Sequence, residues 1–167
     1  MTLPNIVGVN VGWWACVLGA ARGNEWIGPA VVIGHLAVHL GLSRNRTDIG
    51  RFLTVAAVVG FCIDSFLGYK GALIHLSGWL SPLWMVALWP NFATSLTTSL
   101  VFLKERLILA SALGTMAGPV AYAGGAALGA LRVTSGGWLW VAVAWTIAMP
   151  LLVYLSPVVQ PAEDDLA

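Results

Sequence analysis

The chain has 167 residues, 59% of them hydrophobic and only 9% charged, with a formal net charge of +1. That balance excludes a basic face for nucleic acid and an acidic face for cationic substrates, and it leaves one membrane domain with no soluble domain beside it. The few charges stand in short clusters that cut the chain into apolar runs of roughly 17–25 residues, the length that crosses a ~30 Å hydrocarbon core.

In chain order, the pattern predicts an all-α bundle of six transmembrane helices, with five as the alternative because the first is short. Residues 1–5 carry no Lys or Arg, so the first run lacks the basic start of a cleaved signal and is expected to stay as a helix. That helix covers 5–21 and the second 26–43, followed by the basic stretch 44–51. The third covers 52–69, and an apolar link over 71–80 is expected to lie in the interface before Ser81-Pro82. The fourth covers 83–103, the fifth 107–131 and the sixth 138–155. Residues 1–157 thus form the membrane domain, and 158–167 a short acidic tail. Each helix closes its own backbone hydrogen bonds, as lipid requires.

Arg44, Arg46, Arg51, Lys104 and Arg106 lie on one side of the membrane, and Arg22, Lys70 and Arg132 on the other. The excess puts both termini in the cytoplasm. Trp26, Trp79, Trp84 and Trp138 fall at the opposite boundary, where an indole buries its ring and keeps its N–H wet. Gly8 and Gly12, Gly114 and Gly118, and Gly125 and Gly129 are spaced for close helix approach. Such grooves serve packing within the chain, or a second copy or membrane-protein partner. Pro90 and Pro119 interrupt the backbone donors of the fourth and fifth helices. Cys16 and Cys62 read as packing residues.

The polar residues inside the spans carry the functional reading. Asp64 lies ~18 Å from the cytoplasmic end of its helix and ~8 Å from the outer end, a depth at which a carboxylate must be paired, hydrated or protonated. His35 lies ~13 Å from the outer end of the second helix. By the same count Asn10, Asn91, Tyr122 and Thr146 fall in the outer half or near the midplane, so six helices each send one polar side chain toward a shared layer. The expected site is a cavity open to the outer leaflet. Asp64 and His35 form its proton-transfer pair, Asn10, Asn91, Tyr122 and Thr146 bind the ligand, and Trp13, Trp14, Trp89 and Trp145 supply apolar walls. The competing reading makes the same polar groups interhelical glue at ~1 kcal/mol each. His35 and His39 share a helix face, but with Leu36 between them and no third ligand no metal site or cofactor is expected. His75 sits in the interfacial link.

Several stretches together resemble a known family: Trp14-Ala15-Cys16-Val17-Leu18-Gly19-Ala20-Ala21, Asp64-Ser65, Pro82-Leu83-Trp84-Met85-Val86-Ala87-Leu88-Trp89, Phe92-Ala93-Thr94-Ser95-Leu96 and Gly118-Pro119-Val120-Ala121-Tyr122. The likeness, over about residues 10–157, is to the bacterial inner-membrane proteins catalogued as domain of unknown function 2878. It implies a helical inner-membrane protein, supplies no activity and tilts the reading toward lipids. Thr97-Thr98-Ser99-Leu100 carries threonine where that family often has a histidine, which puts any role of that histidine in doubt here. Three functions follow: a protein binding or modifying a lipid or isoprenoid chain, a scaffold or accessory subunit of a membrane complex, and a small proton-coupled transporter. The lack of similarity between 1–80 and 81–167 counts against the third.

Overall fold

The computed structural model describes residues 2–75 and 78–157, so the acidic tail lies outside the described residues. Six helices follow in order: α1 (Thr2–Ala21), α2 (Ile27–Leu42), α3 (Arg46–Tyr69), α4 (Leu83–Leu96), α5 (Leu107–Ala127) and α6 (Gly137–Leu155). Among the described residues, α1, α3, α5 and α6 are long and apolar enough to cross a membrane. The all-α bundle expected from the sequence is the architecture found.

Three helix ends differ from the expectation by about a turn or more, each for a local reason. α3 starts at Arg46 rather than at 52, because the Asn45 side chain accepts from the Asp48 amide at 3.4 Å and caps it. α4 stops at Leu96 rather than at 103. The Thr97 and Thr98 hydroxyls both turn back to the Thr94 carbonyl at 2.9 Å, and the chain continues through turns into a 3-10 segment, Val101–Glu105. α5 stops at Ala127 rather than at 131. The Ala130 amide reaches the Gly125 carbonyl and the Gly129 amide that of Ala126, with Gly129 at φ +84° turning the chain away.

At 14 residues α4 is shorter than the ~20 that span hydrocarbon. It is instead the buried centre of the bundle, packed on α1, α2 and α3 and touching α6. Nine of its residues, from Trp84 to Leu96, are buried. Trp84, expected at the membrane boundary, is among them, whereas Trp26, Trp79 and Trp138 are exposed or near it.

The glycines set how closely the helices meet. A Cβ at Gly8 would lie 2.2 Å from the His35 ring, and one at Gly12 2.7 Å from the Asn91 side chain. Gly60 of α3 and Gly118 of α5 receive the Trp89 and Trp145 rings, with a Cβ 1.9 and 2.3 Å from ring atoms. Gly114 faces Trp145 and Met149 of α6. The α1 and α5 glycine pairs at 8/12 and 114/118 are therefore used inside the chain.

At the face opposite the N-terminus the two longer links pair as short strands, β1 (Leu73–Ile74) with β2 (Arg132–Val133), antiparallel. The Thr134 amide donates to Ala72 O at 3.1 Å, and Ala72, Leu73 and His75 are buried under this cap. The link expected in the interface thus closes one end of the bundle. At the other end Lys104 Nζ donates to the Val153 and Tyr154 carbonyls at 3.1 and 2.9 Å and to Ser156 O, neutralising the orphan carbonyls of α6.

Alanine at Gly60 or Gly118 is expected to lower stability by about 1–3 kcal/mol, since neither backbone nor indole has room to yield. Gly34→Ala, with open space at its Cβ, should be neutral; thermal unfolding in detergent compares the three. A second expectation concerns the cap. Burial pulls the His75 imidazole below its ordinary 6.5, against weaker opposing pulls from the Gly78 backbone and the Glu25 charge. The folded cap therefore favours neutral His75, and its stability is full above 6.5 and falls as the pH drops below it. Hydrogen-exchange protection of the Thr134 amide should fall on acidification in the wild type and change less in His75→Gln.

Candidate functional site

The buried carboxyl of Asp64, one and a half turns from the end of α3, is the centre of the first polar group. The Trp89 indole N–H of α4 donates to Oδ2 at 2.8 Å, and the Tyr122 hydroxyl of α5 donates to Oδ1. Among the described residues its partners are thus two neutral donors, one for each oxygen. Burying a carboxyl without partners costs several kcal/mol, so the two bonds fix α4 and α5 against α3.

Trp89 is itself held on both faces. Its ring stacks on Trp145 of α6 with centroids 4.8 Å apart and planes 16° from parallel. Gly60 lies on the far side of Trp89 and Gly118 against Trp145, so four helices stack as glycine, indole, indole, glycine. Phe92 meets Trp145 edge-on at 5.5 Å. The Trp145 N–H is buried against the Tyr122 hydroxyl, outside strict hydrogen-bonding geometry.

Beside this stack is a half-open cavity of about 140 Å³. α1 lines it with Val9, Trp13 and Val17, and α5 with Ala121, Tyr122 and Gly125. α4 contributes Trp84, Met85, Leu88, Trp89, Asn91 and Phe92, α3 Asp64 and α6 Trp145, with Leu131 from the α5–α6 link. The wall is almost wholly apolar, and its polar atoms gather at Asp64, Tyr122, Asn91 and Trp145. Trp13 also meets α5 at Gly124, where a Cβ would stand 3.1 Å from the indole.

A second polar group joins α1, α2 and α4 nearer the N-terminal face. Asn91 Nδ2 donates to Val9 O at 2.9 Å, so its Oδ1 accepts from His35 Nδ1 at 2.8 Å. His35 Nε2 is then left without a partner. Asn5 Nδ2 donates to Thr94 Oγ1 at 2.7 Å, and Thr98 donates to Asn5 Oδ1 at 2.8 Å. His39 Nε2 meets Thr97 Oγ1 at 3.1 Å. A pocket of about 20 Å³, the size of one water, lies among Pro4, Asn5, His35, Val38, His39 and Leu42.

The expected site residues therefore divide. Asp64, Trp89, Asn91 and Tyr122 meet at one cavity, with Trp13 and Trp145 as walls. His35 reaches that cavity only through Asn91, and it forms no hydrogen bond with Asp64, whose oxygens are both taken. Thr146 instead bonds Thr115 at 2.7 Å and receives the Ser111 hydroxyl on its carbonyl at 2.9 Å, joining α5 to α6. Asn10 turns back to Ile6 O at 2.8 Å on an exposed face, and Trp14 is 49% exposed. These three do not line the cavity. For Asn10 and Trp14 the reason is helical phase: the buried stripe of α1 runs through Asn5, Gly12, Cys16 and Gly19. That small-residue stripe was the signal for Asn5, which depth counting passed over.

Tyr122→Phe leaves Asp64 Oδ1 without its donor and is expected to cost about 1–3 kcal/mol of stability. Combined with Asp64→Asn it should cost less than the two changes summed, because they share one bond. Unfolding midpoints of the two single variants and the double variant test the coupling.

A family model described as Protein of unknown function (DUF2878) matches residues 2–151. No curated protein and no solved structure matches the chain.

Proposed function

The chain belongs to the DUF2878 family, whose description names no activity, and we propose that it binds the apolar chain of a lipid or isoprenoid within the membrane. The observation that carries this reading is the half-open cavity lined by α1, α4 and α5, apolar on nearly every side, with Asp64, Tyr122 and Asn91 among its lining. Concave apolar sites with a few convergent polar groups are the usual form of a small-molecule site. The polar corner is preorganised, because Tyr122 and Trp89 are already held by Asp64 and cannot swing away.

The geometry favours binding over chemistry. Asp64 is engaged at both oxygens and has no imidazole partner, so its role is to position Trp89 and Tyr122 rather than to exchange a proton with His35. We place the protein in the bacterial inner membrane with both termini cytoplasmic. Arg44, Arg46, Arg51, Lys104 and Arg106 supply the basic side at the N-terminal face, and exposed Trp26 and Trp79 mark the outer one.

Native mass spectrometry of protein released from mild detergent tests the reading. Wild type is expected to retain a discrete lipid or isoprenoid mass, and Ala121→Phe, which fills the cavity, to lose it. Val120→Phe, one residue away on an exposed face, should retain it. Equal occupancy in all three would remove the cavity from the account.

A further inference from the structure

We propose that α1 carries the surface on which two copies of this chain associate in the membrane, with their two Asn10 side chains hydrogen-bonded to each other. The inference is independent of the cavity and of what binds there.

The starting point is a carboxamide facing the wrong solvent. α1 is long and apolar enough to cross a membrane, and at 1.5 Å per residue Asn10 lies ~12 Å from its first residue and ~17 Å from its last. At that depth Asn10 is exposed instead of turned into the bundle. One amide hydrogen goes to Ile6 O at 2.8 Å, and the side-chain oxygen and second amide hydrogen have no partner among the described residues. Hydrocarbon supplies neither donor nor acceptor, so both groups stay unsatisfied in a lone copy. Other exposed polar side chains of the spans are closed within the chain: the Thr54 hydroxyl returns to Gly50 O at 3.0 Å and that of Thr115 to Ser111 O at 2.8 Å. Among the described residues of the six helices, Asn10 is the one exposed carboxamide.

Chemistry then selects a second copy as the occupant. A carboxamide carries donor and acceptor side by side, so its simplest complement is another carboxamide. Two copies inserted in the same direction and related by a two-fold along the membrane normal bring the same residue to the axis at the same depth. Leu3, Val7, Asn10 and Trp14, spaced four, three and four, form one stripe along α1. That is the spacing of two parallel helices wound at a shallow left-handed angle, in which a single asparagine fixes register and number. Leu3, Val7 and Trp14 are 72, 54 and 49% exposed, and Trp13 holds the Trp14 ring edge-on at 5.0 Å, ready to pack. The stripe carries no charge that would call for an ionic partner. Gly8 and Gly12 are filled by His35 and Asn91 of the same chain, so the contact uses this stripe and not the glycine groove. Val9, Trp13 and Val17, which line the cavity, form the neighbouring stripe, so occupancy and association are measured separately.

The test is association in liposomes, read as energy transfer between donor- and acceptor-labelled copies while the protein is diluted in lipid. Wild type is expected to be dimeric. Asn10→Leu should associate about tenfold more weakly, the ratio for about 1.4 kcal/mol. Asn10→Gln, which restores a carboxamide, should stay within about threefold of wild type. The unfolding midpoint of Asn10→Leu should not fall, because Asn10 bonds only to its own helix, and this separates the interface from the fold. In a Cys62→Ala background, oxidation in membranes should cross-link Val7→Cys copies and not Val143→Cys copies, although Val143 is 45% exposed on α6. A wild type that is monomeric at every dilution would overturn the proposal. So would a dimer indifferent to Asn10→Leu, or one cross-linked through Val143→Cys in place of Val7→Cys. A monomeric wild type that retains a different membrane protein, lost in Asn10→Leu, would give the surface to that protein and overturn the second copy.

Discussion

The bundle depends on one buried carboxyl. Asp64 accepts from Trp89 on one oxygen and from Tyr122 on the other, and so joins three helices at a buried point. Lipid gives no hydrophobic drive for one helix to prefer another over the surrounding tails, so packing and polar bonds must supply the specificity. α1 to α4 hold together as one group through α4, and α5 with α6 as a second. The Tyr122 bond to Asp64 and the Trp89–Trp145 stack cross the boundary between them. The paired links, β1 with β2, and the Lys104 cap on α6 fasten the same boundary at its two ends.

From this constraint the cavity follows. Gly60 and Gly118 let α3 and α5 close on the stacked indoles of α4 and α6. α1 meets α5 at Trp13 and Gly124. The space left is bordered by aromatic residues of α1, α4, α5 and α6.

The second polar group has a different character. Asn5, His35, His39, Asn91, Thr94, Thr97 and Thr98 bond mainly to one another and to main-chain carbonyls. They hold α1 and α2 on a central helix too short to cross the membrane alone. Threonine hydroxyls end that helix and then serve as its partners, holding the turn after Leu96 against α1 and α2. Thr98 in that segment is bonded to Asn5.

The sequence by itself determined the membrane class, the six helices and the family, because hydropathy and charge spacing are read along the chain and lipid tolerates few alternatives. It also put Asp64, Asn91 and Tyr122 at one expected depth and Trp89 in an apolar wall. The tertiary structure decided which residues at that depth face one another. Asn10, Trp14 and Thr146, expected at the site, miss the cavity, while Asn5 lies inside the bundle. Asp64 bonds Trp89 and Tyr122, and His35 bonds Asn91 instead. The physical reason is that depth is a one-dimensional quantity. The direction of a side chain depends on helix phase, and its neighbours on which small residue lets which helix approach, and those are settled only when all six helices pack at once.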